Sequence, residues 1–442
     1  MTTAPPSALA RLDAHLRDVT ILYLDLHGHP ELSGAEGRTA GLFSGWLERA
    51  GYVTTRGIGG HGVAGVLRNG DGPTVLLRAE LDALPLRETT GLPYAARGGA
   101  AHACGHDLHL AAAAGTATLL ARARDTWRGT LVVVGQPAEE TLEGARAMLA
   151  DGLYERCGRP DDVLAQHAAP LPAGMVAHGP AHGAGAGAGA GTAAMTAASA
   201  TYRVVVYGRG GHAGAPQLAV DPVLTAAHVV TRLQSVVARE TAPADQVAVT
   251  VGAFHAGERA NVIPDRAELA LTVRAVSGAS LERAARAVER IVRAECAAAD
   301  CPREPDVVRV SSSPAVTPDR ALTRAVRGAH RAEFGAERVA AWPVSLATED
   351  FGLFGEAGRE LHGASGVRLG YWMLGTVGPA AWSRARAQGS PLPSNHAPDF
   401  APDARTALPA GVRALTAAAL CRLGGAAHGG PARGGRASDG SA

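Results

Sequence analysis

The chain contains no lysine, and all 42 of its Lys/Arg side chains are arginine. This absence excludes mechanisms that need a lysine, such as a Walker A phosphate loop, a pyridoxal Schiff base or a lysine nucleophile. Cysteine is also scarce, with five in 442 residues. An odd number in so long a chain does not indicate a disulfide framework, and we predict a reducing, cytoplasmic environment.

Excess charge and long apolar runs are missing as well. The net charge is +1 at pH 7 and no basic stripe stands out, so a nucleic-acid partner is not expected. The first six residues lack the basic and apolar regions of a signal peptide. The uncharged stretch 183–200 is mostly Gly and Ala, with Met195 its only large side chain, and it does not read as a membrane span. We therefore expect no membrane partner.

Length and composition indicate a globular chain of more than one domain. At 442 residues the chain is too long for one ordinary hydrophobic core. Its composition, 46% hydrophobic and 19% charged, is typical of globular proteins.

One ten-residue stretch, Ala101–Leu110, contains three histidines, a cysteine and an aspartate. Thiolate and imidazole are the ligands that zinc-like divalent metals prefer, and carboxylates serve as ligands or orient a ligating His. Cys104 and His106, two residues apart, can reach one site from an extended turn. The Ala/Leu-rich run Leu108–Ala123 predicts a buried helix with Asp107 as its N-terminal cap. Together these residues indicate a metal site, although Cys104 alone would indicate only a buried thiol.

A second stretch adds two acids at the end of a strand. Thr130–Gly135 is apolar and β-branched, which is typical of a central strand, and Glu139 and Glu140 follow shortly after it. In open α/β sheets ligands bind at the carboxyl ends of strands. Adjacent acids can divide labour, one as metal ligand and the other as general base.

These and other segments resemble one known family. The matching segments are HACGHD (102–107), QPAEE (136–140), GRGGHAGAPQ (208–217), NVIP (261–264), TVR (272–274) and SNHAPDF (394–400). Together they resemble the aminoacylase-type two-metal peptidases, peptidase family M20, and within it the amidohydrolase branch of aminoacylases, hippurate hydrolases and auxin-conjugate hydrolases. The resemblance extends from about Leu26 to about Leu423.

The resemblance implies an α/β fold, with a zinc-peptidase-like mixed sheet flanked by helices. Into it is inserted a ferredoxin-like βαββαβ module that dimerises and forms a lid. We predict the catalytic domain at 1–199 and 313–424, with a low-complexity loop at 183–199. The dimerisation/lid domain is predicted at 200–312, and a disordered tail at 425–442.

Local patterns give further expectations for secondary structure. Asn69–Gly72 separates two predicted strands, Val63–Leu67 and Thr74–Ala79, and is typical of a hairpin turn. Ser33 and Glu36 form a capping-box pattern before the second helix. A short strand is expected to end at His167. From Thr201 to about Val310 the predicted order is βαββαβ.

The resemblance also implies the site. Two divalent ions, zinc or manganese, cobalt or nickel, would be held by five residues: Cys104, His106, Glu140, His167 and His396. Glu139 would be the general base and Asp82 would orient a ligand. His212 would donate to the developing oxyanion from a partner subunit in a homodimer. Asn261 and Arg274 would hold the substrate's carboxylate.

One departure from the wider family leaves a question open. Glu80 occupies a position where many members have a ligating His, and the sequence does not decide whether Glu80 contacts metal. The implied activity is hydrolysis of N-acyl amino acids. The alternatives are a dipeptidase or aminopeptidase of the wider family, or a non-catalytic metal-binding protein on the same scaffold.

Overall fold

A computed structural model describes residues 8–179 and 194–425 of the chain. Most of the predicted low-complexity loop, and residues 426–442 of the predicted tail, lie outside the described residues. The helices are α1 Asp13–Gly28, α2 Gly37–Arg49, α3 His106–Arg122, α4 Gly144–Ala150, α5 Leu153–Cys157, α6 Pro222–Ser235, α7 Gly278–Ala298, α8 Arg320–Phe334, α9 Arg359–His362, α10 Pro379–Gln388 and α11 Ala404–Leu420. The strands are β1 Val53–Ile58, β2 Gly62–Asn69, β3 Thr74–Glu80, β4 Trp127–Gln136, β5 Asp162–Pro172, β6 Val176–His178, β7 Ala198–Tyr207, β8 Gly211–His212, β9 Ala248–Ala256, β10 Val262–Ile263, β11 Arg266–Ala275, β12 Asp306–Ser313, β13 Val339–Ala341, β14 Arg368–Val377 and β15 Gly424–Gly425.

The larger sheet is mixed and has nine strands. Its order is β1-β2-β4-β3-β5-β14-β6-β13, with β15 pairing to β4. The central strands β4, β3, β5 and β14 run parallel to one another. Successive residues of β4 enter opposite cores: Val133 packs with α1, α3 and α11, while Val132 and Val134 pack on the side of α4 and α5. This two-sided burial explains why these strands are continuous apolar runs, and the predicted α/β fold with a mixed, helix-flanked sheet is confirmed.

A second sheet of four antiparallel strands is built by the inserted segment. Its order, β12-β7-β11-β9, is that of a ferredoxin-like βαββαβ unit, with α6 and α7 packed on one face. The apolar positions of α7, among them Leu281, Val288 and Val292, are buried against that sheet. The topology predicted for this segment is present. The exact domain limits, and the role of the unit as lid or dimerisation module, stay predictions.

Three local predictions about β2 and β3, the start of α2 and the end of β5 were wrong. β2 and β3 do not form a hairpin, because β4 lies between them, antiparallel to β2 and parallel to β3. Ser33 does not cap α2, since its hydroxyl donates to Asp82 and the position before α2 is Glu36 without a side-chain cap. β5 continues to Pro172, so His167 lies within the strand and not at its end.

Among the described residues, no helix has both the length and the apolar character needed to cross a membrane.

Candidate active site

The candidate site lies at the carboxyl ends of β3 and β4. Asp82 follows β3, and Glu139 and Glu140 follow β4; because the two strands are parallel, their ends meet at one edge of the sheet. A backbone hydrogen bond of 2.8 Å from Leu81 N to Gln136 O holds the two strand ends together just before the acids. The strand-end position predicted for the two glutamates is therefore observed.

The start of α3 brings Cys104 and His106 to this edge. Gly105 precedes the helix with φ +86°, a left-handed conformation that favours glycine, and a Cβ there would lie 2.9 Å from the Ala168 Cβ. The expected cap by Asp107 is wrong in detail. Asp107 accepts from the adjacent Leu108 N–H and from His27 Nδ1 at 2.7 Å, and α3 has no side-chain cap.

His106 is oriented by Asp82. Its Nδ1 donates to the Asp82 backbone oxygen at 2.9 Å and lies 3.2 Å from Asp82 Oδ1. The other ring nitrogen, Nε2, is buried, has no hydrogen-bond partner among the described residues, and lies 3.7 Å from Glu139 Oε2 and 3.8 Å from Glu140 Oε1. Burial opposes the charged ring, but the hydrogen bond to Asp82 and the contributions of Cys104 and Glu80 together outweigh it and raise the pKa of His106. Surroundings that stabilise an imidazolium also suit a divalent cation bound to a neutral ring.

Cys104 faces His167 across the site. Its Sγ lies 3.4 Å from His167 Nε2, while His167 Nδ1 donates to Ala168 O at 2.9 Å, so the Nε2 lone pair faces the thiol. Burial raises the pKa of Cys104 to about 11, and burial with the charge of His109 lowers the pKa of His167 to about 4. The histidine is therefore neutral at pH 7, and a bound cation would displace the thiol proton.

Glu140 connects this group to His396. Glu140 Oε2 lies 3.4 Å from His396 Nε2, and the Glu140 backbone N–H donates to Asp82 Oδ2 at 2.9 Å. His396 has φ +70° and its backbone N–H donates to Ala103 O at 2.8 Å, which anchors the loop beside α3. Burial raises the pKa of Glu140, and its Oε1 has no hydrogen-bond partner.

The donor set fits divalent metal. Three groups of potential ligand atoms, each mutually within 4.8 Å, overlap here: Cys104–His106–His167, Cys104–Glu140–His396 and His106–Glu139–Glu140. Sulfur, imidazole nitrogen and carboxylate oxygen are the ligands of zinc-like ions, and two buried donor atoms, His106 Nε2 and Glu140 Oε1, lack any other partner. All five ligand residues predicted from the sequence come together, although they span almost 300 positions.

Glu139 is the most enclosed acid of the cleft. It is 5% exposed and belongs to a buried carboxylate group with Glu349 and Asp350. Burial, followed by the neighbouring charge of Glu349, raises the pKa of Glu139 well above its ordinary value. A carboxylate with raised basicity beside the metal ligands is suited to accept and return a proton.

A buried ionic network below the ligands was not anticipated. Glu80 uses both carboxylate oxygens, one with Arg78 and the other with His109 Nδ1 at 2.8 Å, and His109 Nε2 accepts from the Ala168 N–H at 2.7 Å. Through His109, Glu80 thus supports the part of β5 that follows His167. It lies close to His106 and His109, but both of its oxygens already have protein partners.

Arg78 is the centre of that network. Its guanidinium is fully buried and contacts Gln136, Glu349 and Asp350 as well as Glu80, with distances of 2.8 Å to Gln136 Oε1, 2.7 Å to Glu349 Oε1 and 2.9 Å to Asp350 Oδ1. Glu349 and Asp350 are 271 and 272 residues further along the chain, so no local pattern links them to Arg78. In the sequence, the one sign of this network was the adjacent acid pair before Phe351.

Of the three predicted site residues in the inserted unit, one lines the cleft and two lie outside it. Arg274, at the end of β11, lines it and donates from Nη1 to Leu346 O at 2.9 Å. His212, in β8, and Asn261, directly before β10, lie together instead at the two-stranded β8–β10 ribbon, where Ala213 N donates to Asn261 O at 3.2 Å. His212 is exposed, and neither residue lines the cleft of its own chain.

The cleft itself has a volume of about 660 Å³. Besides the ligands, its wall includes the apolar side chains of Leu142, Trp342 and Met373, with Met373 paired in register to His167. A cleft of similar volume, about 640 Å³, lies between α1, α2 and α3, but it has no comparable set of reactive side chains. The chemistry therefore points to the cleft at the strand ends.

The chain is similar to several known proteins. The family model for peptidase family M20/M25/M40 matches residues 76–372. Hippurate hydrolase of Campylobacter jejuni is 38% identical over 256 residues, which are 57% of this chain and 62% of that protein. The chain thus spans less than two thirds of that relative's length. An IAA-amino acid hydrolase of Arabidopsis thaliana (ILR1-like 4) is 31% identical over 338 residues, 75% of this chain and 73% of the relative.

A solved structure shows the same architecture. The YXEP protein of Bacillus subtilis, a dinuclear metal-binding peptidase, superposes with a TM-score of 0.71 at 26% identity, covering 93% of this chain and 99% of its own. The family model covers well over half of the chain and includes β3, β4, both glutamates and the inserted unit. The chain belongs to peptidase family M20/M25/M40.

Proposed function

We propose that the protein is a metal-dependent amidohydrolase that cleaves N-acyl amino acids. The observation that carries the proposal is the placement of the Glu139 carboxylate beside two ligand groups that share Cys104, in a cleft with Arg274 on its wall. The hippurate hydrolase and the IAA-amino acid hydrolase are named for amide-linked amino acid conjugates, which supports the same reaction class here.

In this proposal the side chains of the protein bind the metal ions and transfer one proton in two steps. Cys104, His106, Glu140, His167 and His396 would hold two divalent ions, and Asp82 keeps Nε2 of His106 directed at the site. The bound ions would polarise the scissile carbonyl and lower the pKa of the attacking water. Glu139 accepts a proton from that water and returns it to the leaving nitrogen.

Substrate recognition would involve two parts of the cleft wall, one cationic and one apolar. Arg274 has one guanidinium nitrogen committed to Leu346 O, which leaves other N–H groups for a substrate carboxylate. The apolar wall of Leu142, Trp342 and Met373 suits the acyl group. Asn261 would join Arg274, and His212 would donate to the oxyanion, both from a partner subunit.

A substrate panel tests the activity. The protein, reconstituted separately with zinc, manganese, cobalt and nickel, is assayed with N-acetyl, N-benzoyl and indole-acetyl amino acids and with unblocked dipeptides. We expect metal-dependent release of amino acid from at least one N-acyl series and little from dipeptides. Preference for dipeptides would indicate a dipeptidase or aminopeptidase, and metal binding without turnover would indicate a non-catalytic metal-binding protein.

Cys104→Ala is expected to lower metal content and activity together, because Cys104 belongs to two of the three ligand groups. Elemental analysis of the reconstituted wild type should find close to two divalent ions per chain. Cys157→Ala is the matched control, since Cys157 is also buried but lies in α5, away from the cleft. Full metal content in Cys104→Ala would contradict the ligand assignment.

A homodimer with shared sites accounts for the position of His212. Since His212 is exposed and outside its own cleft, we expect its loop to act in the partner's site. Inactive His212→Ala and Glu139→Gln chains are mixed after reversible subunit exchange. If sites are shared, half the dimers are mixed and each has one intact site, so about a quarter of the wild-type activity returns. If each chain is complete, the mixture stays inactive.

A further inference from the structure

The end of α7 is closed by a turn that brings two cysteines together. Asp300 adopts φ +53°, its N–H donates to Ala297 O at 3.2 Å, and the Cys301 N–H donates to Cys296 O at 3.0 Å. These two hydrogen bonds define a Schellman motif. A side-chain contact between the residue three positions before the cap and the residue two positions after it frequently accompanies that motif. Here those residues are Cys296 and Cys301.

The two thiols also share one opening to the surface. Both line a cavity of about 280 Å³ together with Arg303, Glu304 and Pro305. Cys296 is 2% exposed, whereas Cys301 is partly accessible. Burial, and then the charge and hydrogen bond of the Cys301 thiol, raise the pKa of Cys296 to about 12. Cys301 is therefore the residue that a reagent reaches first, and the buried Cys296 borders the same cavity.

We propose that Cys296 and Cys301 form a redox-active dithiol, a second reactive site that closes to an internal disulfide on reaction with a low-molecular-weight disulfide. The backbone hydrogen bond between the two residues keeps their α-carbons within the span that a disulfide bridges. This site lies in the inserted unit, shares no residue with the cleft, and is independent of the proposed hydrolase activity.

The reaction has two exchange steps. The Cys301 thiolate attacks one sulfur of oxidised glutathione, forming a mixed disulfide and releasing one glutathione thiolate, which takes up a proton. Cys296 then attacks the Cys301 sulfur and gives up its proton to the departing glutathione thiolate, which forms the internal disulfide and releases the second glutathione. The protein dithiol loses two electrons and two protons, and glutathione disulfide is reduced to two glutathione molecules.

The positions of two arginines allow the disulfide to be detected by mass spectrometry. Trypsin cleavage after Arg293 and Arg303 releases the peptide 294–303, which contains both cysteines and no other. The native full-length protein is treated with oxidised glutathione, quenched in acid, alkylated, digested and analysed by mass spectrometry. We expect this peptide to lack two hydrogen atoms and to carry neither alkyl group nor glutathione. Reduction should restore two alkylatable thiols.

Cys421 supplies an internal comparison, since it is exposed and its Sγ contacts Ala418 O. It should retain a glutathione adduct under the same treatment. In Cys296→Ser the adduct should persist on Cys301, because the second thiol is gone. In Cys301→Ser the buried Cys296 should stay unmodified. Two wild-type results would overturn the proposal: a peptide 294–303 that stays reduced after Cys421 has reacted, or a lasting glutathione adduct on Cys301.

Discussion

Replacing Glu139 by glutamine is expected to lower kcat by on the order of 10²- to 10⁴-fold while bound metal is retained. Glutamine keeps the size and hydrogen-bonding shape of the side chain, but it cannot accept a proton. Glu139 is buried beside His106 Nε2 and Glu349, where burial raises the pKa of its carboxyl, so proton transfer is the property that the change removes. Steady-state kinetics with elemental analysis on the same preparation measures both quantities.

Two neighbouring glutamates serve as controls. Glu140→Gln should lose metal together with activity, because Glu140 lies between His106 and His396 in the ligand groups. Glu143→Gln changes an exposed side chain just before α4 and should leave both quantities unchanged. If Glu140→Gln kept its metal and lost only rate, while Glu139→Gln lost metal, the two roles would have to be exchanged.

The second large effect is expected for Arg78→Met, which should destabilise the folded protein by about 3–5 kcal/mol. Arg78 is fully buried and contacts Glu80, Glu349 and Asp350, so its removal leaves buried carboxylates without their cation. Methionine fills much of the same volume, which separates loss of charge from loss of packing. Urea-unfolding midpoints of wild type and variant measure the difference.

Arg290→Met is the surface counterpart. Arg290 pairs with Glu240 at 2.6 Å, but its side chain is 61% exposed, so its removal should cost no more than about 1 kcal/mol. Adding Glu349→Gln to Arg78→Met should recover part of the lost stability, because it removes one of the uncompensated charges. Equal midpoints for Arg78→Met and Arg290→Met would show that the buried network contributes no more than a surface pair.

Much of the site could be predicted because its signals are local. The cluster Ala101–Leu110 and the acids after the Thr130–Gly135 run each lie within one short segment. Their residue types and strand-end position indicate metal-assisted chemistry without knowledge of the partners. His167 and His396 carry no such signal and were identified by family resemblance alone. The structure brings their ring nitrogens to Cys104 Sγ and Glu140 Oε2 at 3.4 Å each.

Pairing between distant strands could not be predicted in the same way. The Asn69–Gly72 turn has the composition of a hairpin, yet β4, some fifty residues later, occupies the place between β2 and β3. Burying a strand on both faces at the centre of the sheet stabilises the fold more than a tight turn between neighbouring strands does. Ser33 is a similar case, since Asp82 competes successfully for its hydroxyl.

By itself the sequence determined the periodicities of the elements, the βαββαβ order of the insert and the residue types of the metal site. These depend on neighbours a few positions away, where spacing and side-chain chemistry suffice. Only the tertiary structure decided the strand order of the large sheet and the burial of Arg78 among Glu80, Glu349 and Asp350. A buried charge is stable only where its counter-charges are assembled, and chain segments hundreds of residues apart assemble them only when the whole fold forms.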